Sequence, residues 1–207
     1  MSSDDRPNHL AFHELVRGFG RLRVLRGVSG EAAAGELLLI TGANGSGKST
    51  LLRCLAGLMR PQRGTITCRV DGVELDLDER RRTIGFLSPD LSFYAELSTF
   101  ENLAFFAGLR GVDPENGGAL LDRLGLPRGR AADALSSGMR QRLRWAFALL
   151  ARPPILLLDE PFQNFDAPGR HETSRLLAEH LEAGGLAIVA NPDHVDLPRV
   201  DHHVDLA

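Results

Sequence analysis

One run, Gly42-Ala43-Asn44-Gly45-Ser46-Gly47-Lys48-Ser49, limits what this chain can fold into more than any other stretch. It follows a short apolar run, residues 36–41 (ELLLIT), and precedes residues 49–58 (STLLRCLAGL), whose apolar positions have helical spacing. That order reads as buried strand, tight turn, helix. Glycines in such a turn let backbone N–H groups point inward around an anion, and the following helix aims the positive end of its dipole at the same point. Gly42, Asn44, Gly45, Ser46, Gly47 and Thr50 are therefore expected to cradle the phosphates of ATP. Lys48 would bridge the β- and γ-phosphates, and Ser49 would ligate Mg2+. A chance match to the motif in a chain of this length is roughly a 1% event.

Composition sharpens the role of the lysine. The chain has 24 basic residues and its only lysine is Lys48, the rest being arginine. A general preference for Arg that spares one Lys points to a position the guanidinium fork cannot fill, such as a compact point charge among phosphate oxygens.

Further along, residues 155–158 (ILLL) form a bare apolar strand that runs into Asp159-Glu160-Pro161. A carboxylate at such a strand end suits a magnesium contact through water, which assigns Asp159 to the metal. Glu160 beside it suits orienting or deprotonating an attacking water. Ser136 and Gly138, in residues 135–141 (LSSGMRQ), stand where a helix begins and make a second candidate anion site.

The remaining periodicity predicts a hairpin over residues 64–75 around Asp71-Gly72 and a strand over 83–87. Helices are predicted from the Ser98-x-x-Glu101 capping box to about Leu109, from Asp113-Pro114 onward, over 137–151, and from an Asp166 cap to about Ala183. Residues 186–190 (LAIVA) read as the final strand. The fold class is α/β: a β-rich N-terminal part, a parallel core sheet, and a helical subdomain over about residues 86–130 inserted into a single domain spanning 1–207.

In order and spacing these motifs resemble the ATP-binding subunits of ABC transporters over nearly the whole chain. Residues 42–50 (GANGSGKST) match the family's phosphate loop, LSSGMRQ resembles its signature, and Asp159-Glu160-Pro161 matches its magnesium and catalytic pair. Phe165-Asp166 stands at the family's D-loop. Phe19, before Gly20, sits where an aromatic stacks on adenine, a core-strand phenylalanine being the competing reading. Within the family, residues 159–166 (DEPFQNFD) and 97–103 (LSTFENL) look most like the cytochrome c maturation heme exporter, although both stretches also occur in other small export ATPases. The resemblance implies a P-loop ATPase that closes as a head-to-tail dimer, with Ser136 and Gly138 of one copy facing the phosphate loop of the other. It also implies a separate multi-span membrane partner and a place on the cytoplasmic face of the cell membrane.

The chain departs from the family at two positions. The strand-end Gln is replaced by Ser88-Pro89-Asp90, and the switch His by Asn191-Pro192-Asp193, with His194 about two residues late. Asn191 can hydrogen-bond a γ-phosphate but cannot carry a proton as His would, so ATP binding is better supported than rapid hydrolysis. A low-activity nucleotide-binding subunit, an ATP-gated clamp on nucleic acid and a small-molecule kinase stay open as alternatives. A net charge of −3 gives no field that draws nucleic acid. Cys54 and Cys68 lack metal or redox spacing and fit a reducing cytosol, and no apolar run approaches the length of a membrane span.

Overall fold

The computed structural model describes residues 7–191 and 197–206. Its strands form two sheets. An antiparallel sheet has the order β2-β1-β4-β5, from β1 (His9–Phe19), β2 (Leu22–Ala33), β4 (Arg63–Val70) and β5 (Val73–Glu74). A parallel sheet has the order β6-β7-β8-β3-β9, from β3 (Leu37–Thr41), β6 (Ile84–Leu87), β7 (Ile155–Asp159), β8 (Leu186–Ala190) and β9 (His202–Asp205).

The parallel strands are bare apolar runs because both faces of that sheet are covered. Along β3, Leu37 and Leu39 point into one core with Leu156, Leu158, Ala187 and Val189, while Leu38 and Ile40 point into the other with Ile155, Leu157 and Ile188. The first core is closed by α3 (Thr99–Arg110), α4 (Pro114–Arg123), α5 (Ser137–Leu149) and α6 (Ala167–Glu182). The second is closed by α1 (Lys48–Leu55) and the antiparallel sheet. Each fully buried Leu in these layers contributes about 1.5–3 kcal/mol. Gly85 allows the close seat of α5 on β6, since a Cβ there would lie 2.4 Å from the Ala148 carbonyl oxygen.

The capping signals fall where the sequence puts them. Ser98, Asp113 and Asp166 cap α3, α4 and α6, and Ser98 and Glu101 form the reciprocal capping box. Asp71 and Gly72 both take positive φ in the two-residue turn joining β4 to β5. Three elements differ from expectation. Residues 186–190 are not the final strand, because β9 follows and pairs with β3. A helix, α2 (Leu77–Thr83), precedes β6, its N-cap Asp76 and Glu79 forming a second capping box. The first helix stops at Leu55 rather than running to Leu58. Phe86 and Leu87 lie within β6, and α3, α4 and α5 occupy the stretch between β6 and β7.

Candidate functional site: a phosphate loop at the strand ends

Because β3, β7 and β8 are parallel neighbours, their carboxyl ends lie together, with Ile40 and Asp159 both in register with Ala190. Such an edge is where open α/β sheets bind ligands. Gly42 leaves β3, Glu160 leaves β7 and Asn191 leaves β8 at this level. Backbone bonds fix the ends, from Glu160 N–H to the Ala190 carbonyl (2.8 Å) and from Asn191 N–H to the Ile40 carbonyl (3.1 Å). Asn191 is buried, and His194 lies outside the described residues.

The loop itself is tightly built. The Lys48 ammonium, 5% exposed, donates to the carbonyls of Gly42 (2.6 Å) and Ala43 (3.0 Å), which holds it at the centre of the turn. The Ser46 hydroxyl is buried with no hydrogen-bond partner. Gly47 caps α1 in a left-handed conformation against Val24 and Leu25 of β2. Asn44 and Gly45 are exposed at the tip, and Ser49 and Thr50 begin the first turn of α1.

Asp159 is 2% exposed. Desolvation by burial pushes its carboxyl above the ordinary carboxylate range, and neighbouring Glu160 adds to that. A hydrogen bond with Ser49 and the charges of Arg53 and Lys48 act the other way. A hydroxyl and a carboxylate joined in this manner form an all-oxygen donor pair of the kind Mg2+ takes from a protein when phosphates complete its shell. Among the described residues no group of three or more His, Cys, Asp or Glu could hold a metal by itself. The Ser49 and Asp159 oxygens are of a type that fits a magnesium ion bound together with a nucleotide. Glu160 takes a positive φ of 48°, a conformation a non-glycine residue keeps only where its surroundings fix it.

Phe19 ends β1 at the tip of the hairpin that covers the loop, and it is 47% exposed, which removes the core-strand reading. The Arg17 guanidinium lies 5.1 Å from its ring centroid. Ser136 and Gly138 lie at the start of α5. Ser136 caps that helix through Met139 N–H (3.2 Å), and Gly138 abuts the Asn164 carbonyl, 2.8 Å from where a Cβ would stand. The Asp166 carboxylate accepts from Gly169 N–H (3.0 Å) and from Arg142 (2.8 Å), and both hold it below the ordinary range. Within one chain, then, the phosphate loop, Asp159, Glu160 and Asn191 converge, while Ser136, Gly138 and Asp166 belong to the region around α5 and the start of α6.

Sequence reasoning missed the clasp between α5 and the Asp159-Glu160-Pro161 segment. The Gln141 amide donates to the carbonyls of Glu160 (3.2 Å) and Pro161 (3.0 Å), and the Trp145 indole to Pro161 (2.9 Å). It also missed the support from β9, where His203 and Asp205 hydrogen-bond the Thr41 hydroxyl beside the loop (2.7 and 3.2 Å). These bonds join residues 16 to 164 positions apart and leave no local signal.

Comparison with known proteins agrees with this geometry. The model of the ABC transporter family matches residues 25–163. The chain is 42% identical over 177 residues to the cytochrome c biogenesis ATP-binding export protein CcmA of Rhodopseudomonas palustris (strain BisB5), covering 84% of this chain and 86% of the relative. It is 39% identical over 186 residues to the protein of the same name from Xanthomonas axonopodis pv. citri (strain 306), covering 88% and 86%. Among solved structures, an ATP binding subunit of an ABC transporter superposes with a TM-score of 0.77 at 28% identity, over 88% of this chain and 79% of that one. A dimeric ATP-binding cassette in a post-hydrolysis state with ADP and Pi superposes at 0.82 and 25% identity, over 95% and 93%. Among the described residues no helix is long and apolar enough to cross a membrane. Motif order, strand-end geometry and relatives agree, and the chain belongs to the ABC transporter family as an ATP-binding subunit.

Proposed function

We propose that this chain hydrolyses ATP for a membrane exporter serving cytochrome c biogenesis, with heme as the cargo, and that it does so as half of a head-to-tail dimer on the cytoplasmic face of the membrane. The observation that carries the proposal is the convergence of the Lys48 loop with Asp159 and Glu160 at one sheet edge, in a chain 42% identical to a cytochrome c biogenesis export ATPase.

The loop N–H groups from Gly42 to Thr50 and the α1 dipole bind the phosphates, with Lys48 neutralising charge between β and γ. Phe19 stacks on adenine. Ser49 and Asp159 hold the magnesium ion, which supplies charge neutralisation on the transferred phosphoryl group. Glu160 orients the attacking water, and Asn191 hydrogen-bonds the γ-phosphate. From the second copy, Ser136 and Gly138 close on the same phosphates and Asp166 lies at the seam. Positioning and electrostatics then carry the reaction. Beyond β6, the stretch up to about residue 130, with α3 and α4, would form the helical subdomain. The membrane partner would sit on the segment from Ser88 to Tyr94 and on the following helix, where Tyr94, Phe105 and Leu109 are exposed.

Phosphate release from the purified chain with its membrane partner tests the activity: it should stand well above that of Lys48→Ala. A second reading, a nucleotide-binding subunit of low activity, is favoured by Pro89 and Asn191 at the expected Gln and His positions. Parent and Lys48→Ala rates that coincide would decide for it. The cargo is tested separately, since cells lacking the chain should lose covalent heme on their c-type cytochromes. Normal heme staining would overturn that part.

A further inference from the structure

We propose that Arg144 is a positioning residue for ATP hydrolysis: through Gln141 it ties the loop after β6 to the main chain of the Glu160 segment. The proposal rests on Glu160 as the water-orienting residue.

The connection is a continuous set of hydrogen bonds. Arg144, on α5, donates from one terminal nitrogen to the Pro89 carbonyl (2.6 Å) and from Nε to the Leu91 carbonyl (3.3 Å). Its other terminal nitrogen donates to Gln141 Oε1 (3.1 Å). Gln141 is 2% exposed, and its amide nitrogen is committed to the carbonyls of Glu160 and Pro161 (3.2 and 3.0 Å). A guanidinium is planar and presents its donors in a rigid fork, so a shift of the 88–91 segment is passed on rather than absorbed. The receiving end is sensitive, because Glu160 holds a positive φ of 48° and its neighbours set that conformation. The same loop has a second attachment, an ion pair from Asp90 to Arg53 on the helix that carries Lys48 and Ser49. Loop 88–91, which has no Gln of its own, is thereby bonded to both the phosphate-binding helix and the Glu160 segment. Movement of that loop would be read at the Glu160 carboxylate.

A reporter is built in. Trp145 is the sole tryptophan, is fully buried, and donates to the same Pro161 carbonyl that Gln141 holds. The test compares the full chain with Arg144→Met, which keeps the aliphatic stem and removes the donors, with Gln141→Ala and with the double variant. Arg144→Met should bind ATP within about twofold of the parent, while kcat falls roughly ten- to a hundredfold with little change in KM, the cost of a misplaced reacting group. The double variant should be no slower than Gln141→Ala, because the two act in series. Addition of Mg-ATP should shift Trp145 emission in the parent, and Arg144→Met should at least halve that shift. A kcat within about twofold of the parent, additive losses in the double variant or an unchanged emission shift overturns the relay. Glu160→Gln run alongside separates the two claims: hydrolysis at the parent rate in Glu160→Gln removes the role given to Glu160, whereas a slow Glu160→Gln beside a fast Arg144→Met removes only the relay. If the parent itself releases no phosphate, the emission shift decides.

Discussion

Gly45 and Gly47 sit in the same loop, and alanine at each should cost different amounts for reasons that can be worked out. Both have positive φ, 84° and 109°, so an alanine at either carries backbone strain of about 1–2 kcal/mol. Their surroundings differ. A Cβ on Gly45 meets nothing within 4 Å. On Gly47 it would stand 2.6 Å from Val24 Cγ1, 3.1 Å from Leu25 Cδ2 and 3.3 Å from the Val24 carbonyl oxygen. The last is backbone and Leu25 is fully buried, so relief needs the hairpin to move off the loop, an overpacking cost of about 1–3 kcal/mol more. Gly45→Ala should therefore lose about 1–2 and Gly47→Ala about 2–5 kcal/mol. At about 2–4 °C per kcal/mol for a domain of this size, Gly47→Ala should melt roughly 4–20 °C below the parent. Urea unfolding followed by Trp145 emission measures both, since that buried indole reports the core between α5 and Pro161. Equal losses in the two variants, or a larger one in Gly45→Ala, would refute the packing argument.

Three other outcomes follow from the site and its surroundings. Phe19→Ala should leave stability near that of the parent, because the ring is half exposed, and weaken ATP binding about tenfold by loss of stacking; an affinity within about twofold of the parent would show that the ring does not touch adenine. Asp159→Asn should raise the melting temperature of the nucleotide-free chain at neutral pH while abolishing Mg-ATP turnover. Its carboxyl pKa is raised by burial, so the stability it contributes is present at low pH and is lost as pH rises through that raised value; a lower melting temperature contradicts this. His180 is the opposite case. Burial lowers its pKa even though it donates to the Leu186 carbonyl (3.0 Å). Stability is thus present above the ordinary imidazole value and lost as pH falls through the depressed one. Urea midpoints at about pH 7.5 and 5.5 should differ less in His180→Gln than in the parent, and an equal pH dependence in both would remove His180 as the source.

Elements whose signals are local were legible in the sequence. The phosphate loop, the capping residues Ser98, Asp113 and Asp166, and the apolar strands β3, β7 and β8 each carry their cause within about ten residues. The elements that escaped lack an apolar rhythm. Helix α2 is mostly charged and short, and only its Asp76–Glu79 capping box announces it. Strands β1 and β2 are interrupted by bulges, with Glu14 at a φ of 50°, so their alternation is broken. Strand β9 is a polar edge strand that β3 recruits from far along the chain. In the site, residue types were readable but their mutual support was not. Gln141 lay in a recognised motif, yet its bond to Pro161 exists only once α5 is seated on β6, beside the segment that leaves β7. The same holds for Arg144, whose main-chain acceptors lie 53 and 55 residues away.

The central claim is that one chain supplies Lys48, Asp159 and Glu160 while a second supplies Ser136 and Gly138 to the same nucleotide. The solution mass of Glu160→Gln with and without Mg-ATP tests it most directly, because slowed hydrolysis should hold the closed state. The account expects a monomer of 22.5 kDa without nucleotide, a dimer with Mg-ATP, and no dimer when Lys48→Ala or Gly138→Arg is added. A Glu160→Gln chain that stays monomeric with saturating Mg-ATP, or one that dimerises equally well with Gly138→Arg, would contradict the composite site.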